Sequence, residues 1–199
     1  MIFSMPAQVG YGALFAFVAA ESAGVPVPGE TALVAAGLLT RSGQLALPVV
    51  IGVAAAAAIL GDNLGYWIGR RGGRRLLERD GWLAGHRRKA LTKGDAFFAA
   101  HGAKTVFFGR WITGVRVVAA VLAGASRMRW STFALYNAAG AVAWSATVAG
   151  IAALTGPVGA AIVYGAGIAA AGGGAAFAGG RSWWRRRGLR HKSAAGAAI

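Results

Sequence analysis

The chain has 199 residues, is 56% hydrophobic, and sets 21 Lys and Arg against six Asp and Glu for a net charge of +15. Apolar runs recur along most of its length, beyond what one soluble core of this size needs, and a bilayer is the solvent that accommodates them. The chain has no cysteine, which excludes disulfide and thiolate chemistry. The charge follows the ends of apolar stretches instead of forming a nucleic-acid face, with nine basic residues from Arg70 to Lys93 and six from Arg181 to Lys192. That is the pattern of cytoplasmic loops under the positive-inside rule, where anionic head groups also lie.

The first 40 residues hold no Lys or Arg, so no cleaved signal peptide is expected. Ala7 to Ala20 is apolar for only 14 residues, which suits a short crossing helix or one lying at the interface. Glu21 to Thr40 contains Val25-Pro26-Val27-Pro28-Gly29, where alternating prolines hold the backbone extended and stop a helix. The apolar run that follows, Thr31 to Leu39, is too short to cross. A re-entrant hairpin over about 21–40 satisfies these features, with its break at Pro26, Pro28 and Gly29.

Leu45 to Ile68 reads as a span, with Pro48 in its first turn and Asp62 near its far end. Lys104 to Ala125 does not. Its Arg110 and Arg116 would together cost about 5–7 kcal/mol at a span centre, against about 3–5 returned by its large apolar residues. With Gly109, Thr113 and Gly114 around the arginines, a second broken hairpin over about 97–125 is predicted. Such backbone survives at membrane depth where it is buried in protein or lines a wet cavity. Thr132 to Leu154 carries no charge and reads as a second span. Pro157 to Gly180 is long enough for a third, rich in Ala and Gly that favour close helix contact. Trp183 and Trp184 beside Arg185 to Arg187 resemble an interfacial anchor.

Counting sides puts the Arg70–Lys93 loop and the 181–199 tail in the cytoplasm and the 41–47 loop outside. The two hairpins then face each other from opposite leaflets, each followed by a span. The predicted fold is an all-α integral membrane protein, with several transmembrane helices and two opposed re-entrant hairpins arranged like an inverted repeat. Residues 1–180 form its membrane domain and 181–199 a basic cytoplasmic tail.

Glu21, Glu30 and Asp62 are half of all the acids, and each sits in or beside apolar sequence. Burial favours a protonated carboxyl and a neighbouring guanidinium an ionised one, so all three are candidates for proton coupling. Glu30 opens a short helix, where the macrodipole favours a carboxylate. Permanent ion pairs between Glu21 or Glu30 and Arg110 or Arg116 are the structural alternative, and Asp62 also suits the interface. Arg110 and Arg116 lie six apart around a glycine-containing break. Their planar guanidinium groups suit bidentate contact with phosphate, so they and Gly114 are the candidate substrate-binding residues. Asn137 and Trp144, seven apart, share one face of a span and suit packing or a cavity lining. His86 and His101 have no clustered ligand partners, and neither a metal site nor a cofactor is expected.

These residues resemble the DedA family, which shares its domain with eukaryotic lipid scramblases. Glu21-x-x-Gly24-x-Pro26-x-Pro28-Gly29-Glu30 is similar to the family's first hairpin. Gly61-Asp62, Tyr66, Gly69-Arg70, Gly73, Phe97 and Gly102 follow in order. Gly109-Arg110-x-x-x-Gly114-x-Arg116 is similar to the second hairpin, and Ala123-Gly124, Met128, Phe133, Asn137, Gly140 and Trp144 continue the series. The resemblance covers about residues 10–155, and Thr113 stands where the family usually has proline. It implies functional acids at Glu21 and Glu30 and functional arginines at Arg110 and Arg116. It also implies lipid translocation, notably of undecaprenyl phosphate across the bacterial cytoplasmic membrane, coupled to protons or sodium.

The expected function is therefore a multi-pass lipid-phosphate flippase with a cytoplasmic C-terminus. A proton-coupled small-ion transporter and a phospholipid scramblase are the alternatives. No enzyme is expected, because no credible Ser-His pair or Asp-rich metal motif is present.

Overall fold

The computed structural model describes residues 6–73, 103–112, 115–159, 161, 162 and 165. Every regular element among them is a helix: α1 (Ala7–Ser22), α2 (Gly29–Arg41), α3 (Leu47–Ile68), α4 (Lys104–Gly109), α5 (Val115–Ala125) and α6 (Trp130–Thr155). A π-helical turn, Gly69–Gly73, prolongs α3. The expected spans over 45–68 and 132–154 are thus helices with nearly those boundaries, and both are long and apolar enough to cross a membrane. At 1.5 Å per residue α3 alone reaches about 33 Å, close to the thickness of a hydrocarbon core. The expected third span is helical at 157–159, 161, 162 and 165. Its remainder, most of the Arg70–Lys93 cluster, Phe97, Gly102, Thr113, Gly114, His86, His101, Trp183, Trp184 and the 181–199 tail lie outside the described residues.

The first break forms as the prolines predict. The amide of Gly24 donates to Glu21 O and that of Val25 to Ala20 O, a Schellman pair that ends α1. Gly24 takes φ +102°, a conformation open to glycine at little cost. Pro28 then caps α2 from outside the helix. This helical hairpin is larger than the predicted 21–40, because its first arm is the whole of α1. Short as it is, α1 contributes Leu14 and Val18 to a core shared with α3 and α6.

Contacts at the two ends fix how the elements run. The Ala46 amide donates to the Tyr11 hydroxyl at 2.8 Å, closing the base of the first hairpin. Arg41 Nη1 donates to Ala153 O and Leu154 O, both at 2.9 Å, so the C-terminal end of α6 lies at that base. The opposite end gathers α3, α5 and the start of α6. There the Tyr66 hydroxyl donates to Met128 O at 2.5 Å, and Trp130 Nε1 donates to Asn63 Oδ1 at 2.9 Å. The second hairpin, α4 and α5, therefore opens toward the end opposite the first. Its tip meets the tip of the first: a Cβ placed on Gly24 would sit 3.2 Å from Val117.

Helices approach closely through small residues. A Cβ on Gly37 would stand 2.9 Å from Ala149 O of α6, and one on Gly61 would stand 2.5 Å from Ala19 O of α1. Large apolar side chains face outward instead, among them Leu60, Leu64, Phe108, Leu135, Val142 and Leu154. That surface suits lipid better than water.

Candidate functional site

Two apolar clusters divide the interior. One, built on α1, α2, α3 and α6, includes Leu14, Leu33, Val50, Ala58 and Trp144, and the other gathers Tyr66, Val106, Ala120, Ala123 and Phe133. Between them lies a polar layer. Along α3 the buried residues run Ala58, Asp62, Tyr66; along α6 they run Phe133, Asn137, Ala141, Trp144. Helical spacing of three to four residues stacks each series on one inward stripe, so one polar residue per helix enters the same layer.

The second break brings Arg110 and Arg116 into that layer. Arg110 directly follows α4, whose last residue is Gly109, and Arg116 lies in the first turn of α5. Both arginines are buried, 2% and 4% exposed. Arg110 Nη1 donates to Asp62 Oδ2 and, at 2.7 Å, to Asn137 Oδ1. Arg116 Nη2 ion-pairs with Glu21 Oε1 at 2.6 Å, joining the two hairpin tips. Both guanidinium carbons lie over the Trp144 ring, at 6.0 Å for Arg110 and 5.1 Å for Arg116.

Glu21 has a second task. Its Oε2 accepts the Glu30 backbone amide at 2.9 Å, capping the N-terminal end of α2 across the break. Glu30 itself occupies the first turn of α2 and is partly buried. The arginines thus have different carboxylate partners: Glu21 for Arg116 and Asp62 for Arg110. Asp62 is buried in the protein, 2% exposed, with one carboxylate oxygen on Arg110. Asn137 and Trp144, whose spacing suited packing equally well, line the same layer. Their shared inward stripe with Phe133 and Gly140 was the sequence signal for it.

The layer is not fully satisfied. Among the described residues, Arg110 Nε and Nη2, Arg116 Nε, Asp62 Oδ1 and Asn137 Nδ2 are buried without a hydrogen-bond partner. Such groups are expensive in an apolar interior and suit a site built for a polar ligand. No cluster of three or more His, Asp or Glu that could hold a metal occurs among the described residues. Outside the layer, an open groove of about 450 Å³ is lined by Lys104, Phe107, Phe108, Leu135, Tyr136 and Ala139. Phe107 separates the groove from Gly140, beside which the Arg110 side chain also lies.

Residues 27–154 match the VTT domain, a stretch that begins inside the first break, after Gly24 and Pro26, and holds the second break, nearly all of both long helices and every residue of the polar layer except Glu21. The chain belongs to the VTT-domain, or DedA, family. It is similar to an uncharacterized membrane protein of Synechocystis, 43% identical over 151 residues, covering 76% of this chain and 69% of the relative. A Mycobacterium tuberculosis uncharacterized membrane protein is 35% identical over 175 residues, covering 84% and 73%. The Bacillus subtilis uncharacterized membrane protein YbfM is 29% identical over 138 residues, covering 69% and 85%. No solved structure gives a significant match. Membership of the VTT-domain family agrees with the helical, lipid-facing architecture and makes this a membrane protein.

Proposed function

We propose that this VTT-domain protein translocates a lipid phosphate, undecaprenyl phosphate or a close relative, across the bacterial cytoplasmic membrane. One observation carries the reading: where two oppositely opening hairpins meet, two buried arginines lie over one tryptophan ring with N–H groups that have no partner among the described residues. A guanidinium edge suits the non-bridging oxygens of a phosphate. The hairpins would be re-entrant, one from each leaflet, so that the phosphate meets Arg110 and Arg116 near the midplane. Lys104 at the groove would attract the head group, and the groove's aromatic wall would hold the hydrocarbon chain.

Electroneutrality supplies a coupling. Arg110 and Arg116 are balanced by Asp62 and Glu21, so an added phosphate leaves uncompensated negative charge at low dielectric. Protonating Glu21 would reduce that excess and free Arg116 for the ligand, and protonating Glu30 beside it would lower the negative charge further. Return of the carboxylate to Arg116 would then expel the phosphate. Sodium bound by the same acids would act alike. The protein would act as a transporter with no enzymatic step, multi-pass, with the basic 181–199 tail in the cytoplasm.

The test is transport of labelled undecaprenyl phosphate in proteoliposomes, compared with ordinary phospholipids. Wild type should move the lipid phosphate preferentially, and Arg116→Ala should lose transport while eluting as a folded protein. Retained transport in Arg116→Ala would overturn the role given to the arginines. Equal transport of every phospholipid would make the protein a scramblase, and ion flux without lipid would make it a small-ion transporter.

A further inference from the structure

We infer that Asp62 and Asn137 are positioning residues that hold Arg110 by one nitrogen so that its Nε–Nη2 edge stays turned toward a phosphate. The inference rests on the phosphate reading above and deepens it. Arg110 has three nitrogens, and both of its partners accept from Nη1. Asp62 reaches it from α3 and Asn137 from α6, so the clamp is anchored on both long helices. The two remaining nitrogens, Nε and Nη2, are buried and without partners among the described residues. They form the side-on fork through which a guanidinium makes two parallel hydrogen bonds to one anion.

The other groups in the layer extend the fork. Arg116 Nε and Asn137 Nδ2 are buried donors in the same layer, without partners among the described residues. With Arg110 Nε and Nη2 they make four buried donors beside Trp144, which we assign to one ligand. A phosphate monoester offers three terminal oxygens and a diester only two, so this donor set favours a monoester head group. A clamp on Nη1 matters because a freely rotating guanidinium presents its fork only part of the time, and rigid orientation is what gives bidentate contacts their selectivity. Asp62 further supplies the charge that lets Arg110 remain buried, whereas Asn137 supplies direction without charge.

The experiment measures binding of phosphatidic acid and phosphatidylglycerol with identical acyl chains to the purified full-length protein, by native mass spectrometry. The first lipid is a monoester and the second a diester. Wild type should prefer phosphatidic acid, by roughly tenfold for one well-formed additional charged contact. Asp62→Asn and Asn137→Ala should each reduce that preference to within about threefold of unity, since the fork is no longer held. The double variant Asp62→Asn with Asn137→Asp keeps one carboxylate and one amide on Nη1 and should recover most of the preference. A merely structural role would weaken both lipids together and leave their ratio unchanged. Thermal unfolding of each variant is followed alongside, and Asn137→Ala, which keeps the ion pair, serves if Asp62→Asn does not fold. Folded single variants that retain the wild-type ratio overturn the inference. Wild type with no monoester preference instead overturns the phosphate reading on which it rests.

Discussion

The two hairpins solve the same problem, ending one helix and starting another inside the bundle, by different means. The first uses Gly24 and two prolines, has arms of 16 and 13 residues, and carries acids. The second has arms of six and 11 residues and carries the arginines. Their ion pairs differ as well. Asp62–Arg110 ties the second hairpin to a long helix with both side chains 1–2% exposed, whereas Glu21, joining the hairpins through Arg116, keeps 13%. One pair ties a hairpin to the scaffold, and the other joins the two hairpin tips. The contrast teaches that similar charges are placed differently: one pair is sealed from solvent and the other keeps some exposure on its acid.

The largest effect should come from breaking the sealed pair. Arg110→Leu leaves the Asp62 carboxylate buried without its cation, which costs about 3–5 kcal/mol for pairs of this kind. Arg116→Leu should cost less, about 1–3 kcal/mol, because Glu21 retains some solvent contact and its bond to the Glu30 amide. Unfolding in a denaturing-detergent titration compares them directly. Equal losses would mean that the two pairs do not differ as their burial indicates.

A smaller effect is expected where the first hairpin meets α6. Gly37→Leu forces a side chain into the Ala149 backbone, and overpacking of this sort costs about 1–3 kcal/mol. The same titration should show a loss between those of Arg110→Leu and Arg41→Gln. The last variant removes the two carbonyl contacts at the exposed base of that hairpin and should cost at most about 1 kcal/mol. If Arg41→Gln were the more damaging, the base and not the glycine contact would hold the hairpin.

Much of this architecture is legible in the sequence. Leu47–Ile68 and Trp130–Thr155 announce themselves by apolar length, because a helix in lipid must be apolar for its whole transit. The breaks announce themselves too, through Pro26 and Pro28 in one hairpin and the cost of Arg110 and Arg116 in the other. What the sequence could not reveal was the reach of the first hairpin and the partners of its charges. Hydropathy treats Ala7–Ser22 as too short for a span, and only its burial against α3 makes it an arm.

The amino-acid order by itself determined the two long helices, the breaks and the presence of acids and arginines in or beside apolar segments, since each depends on residues adjacent along the chain. Tertiary structure alone decided that Arg110 answers to Asp62 and Asn137, that Arg116 answers to Glu21, and that both lie over Trp144. The reason is physical: an ion pair between residues 48 apart forms because two helices cross at one depth and register. No local pattern encodes that register; the close approach of Gly124 in α5 to the Tyr66 backbone of α3, and of Gly140 in α6 to Phe107 of α4, brings the second hairpin to it.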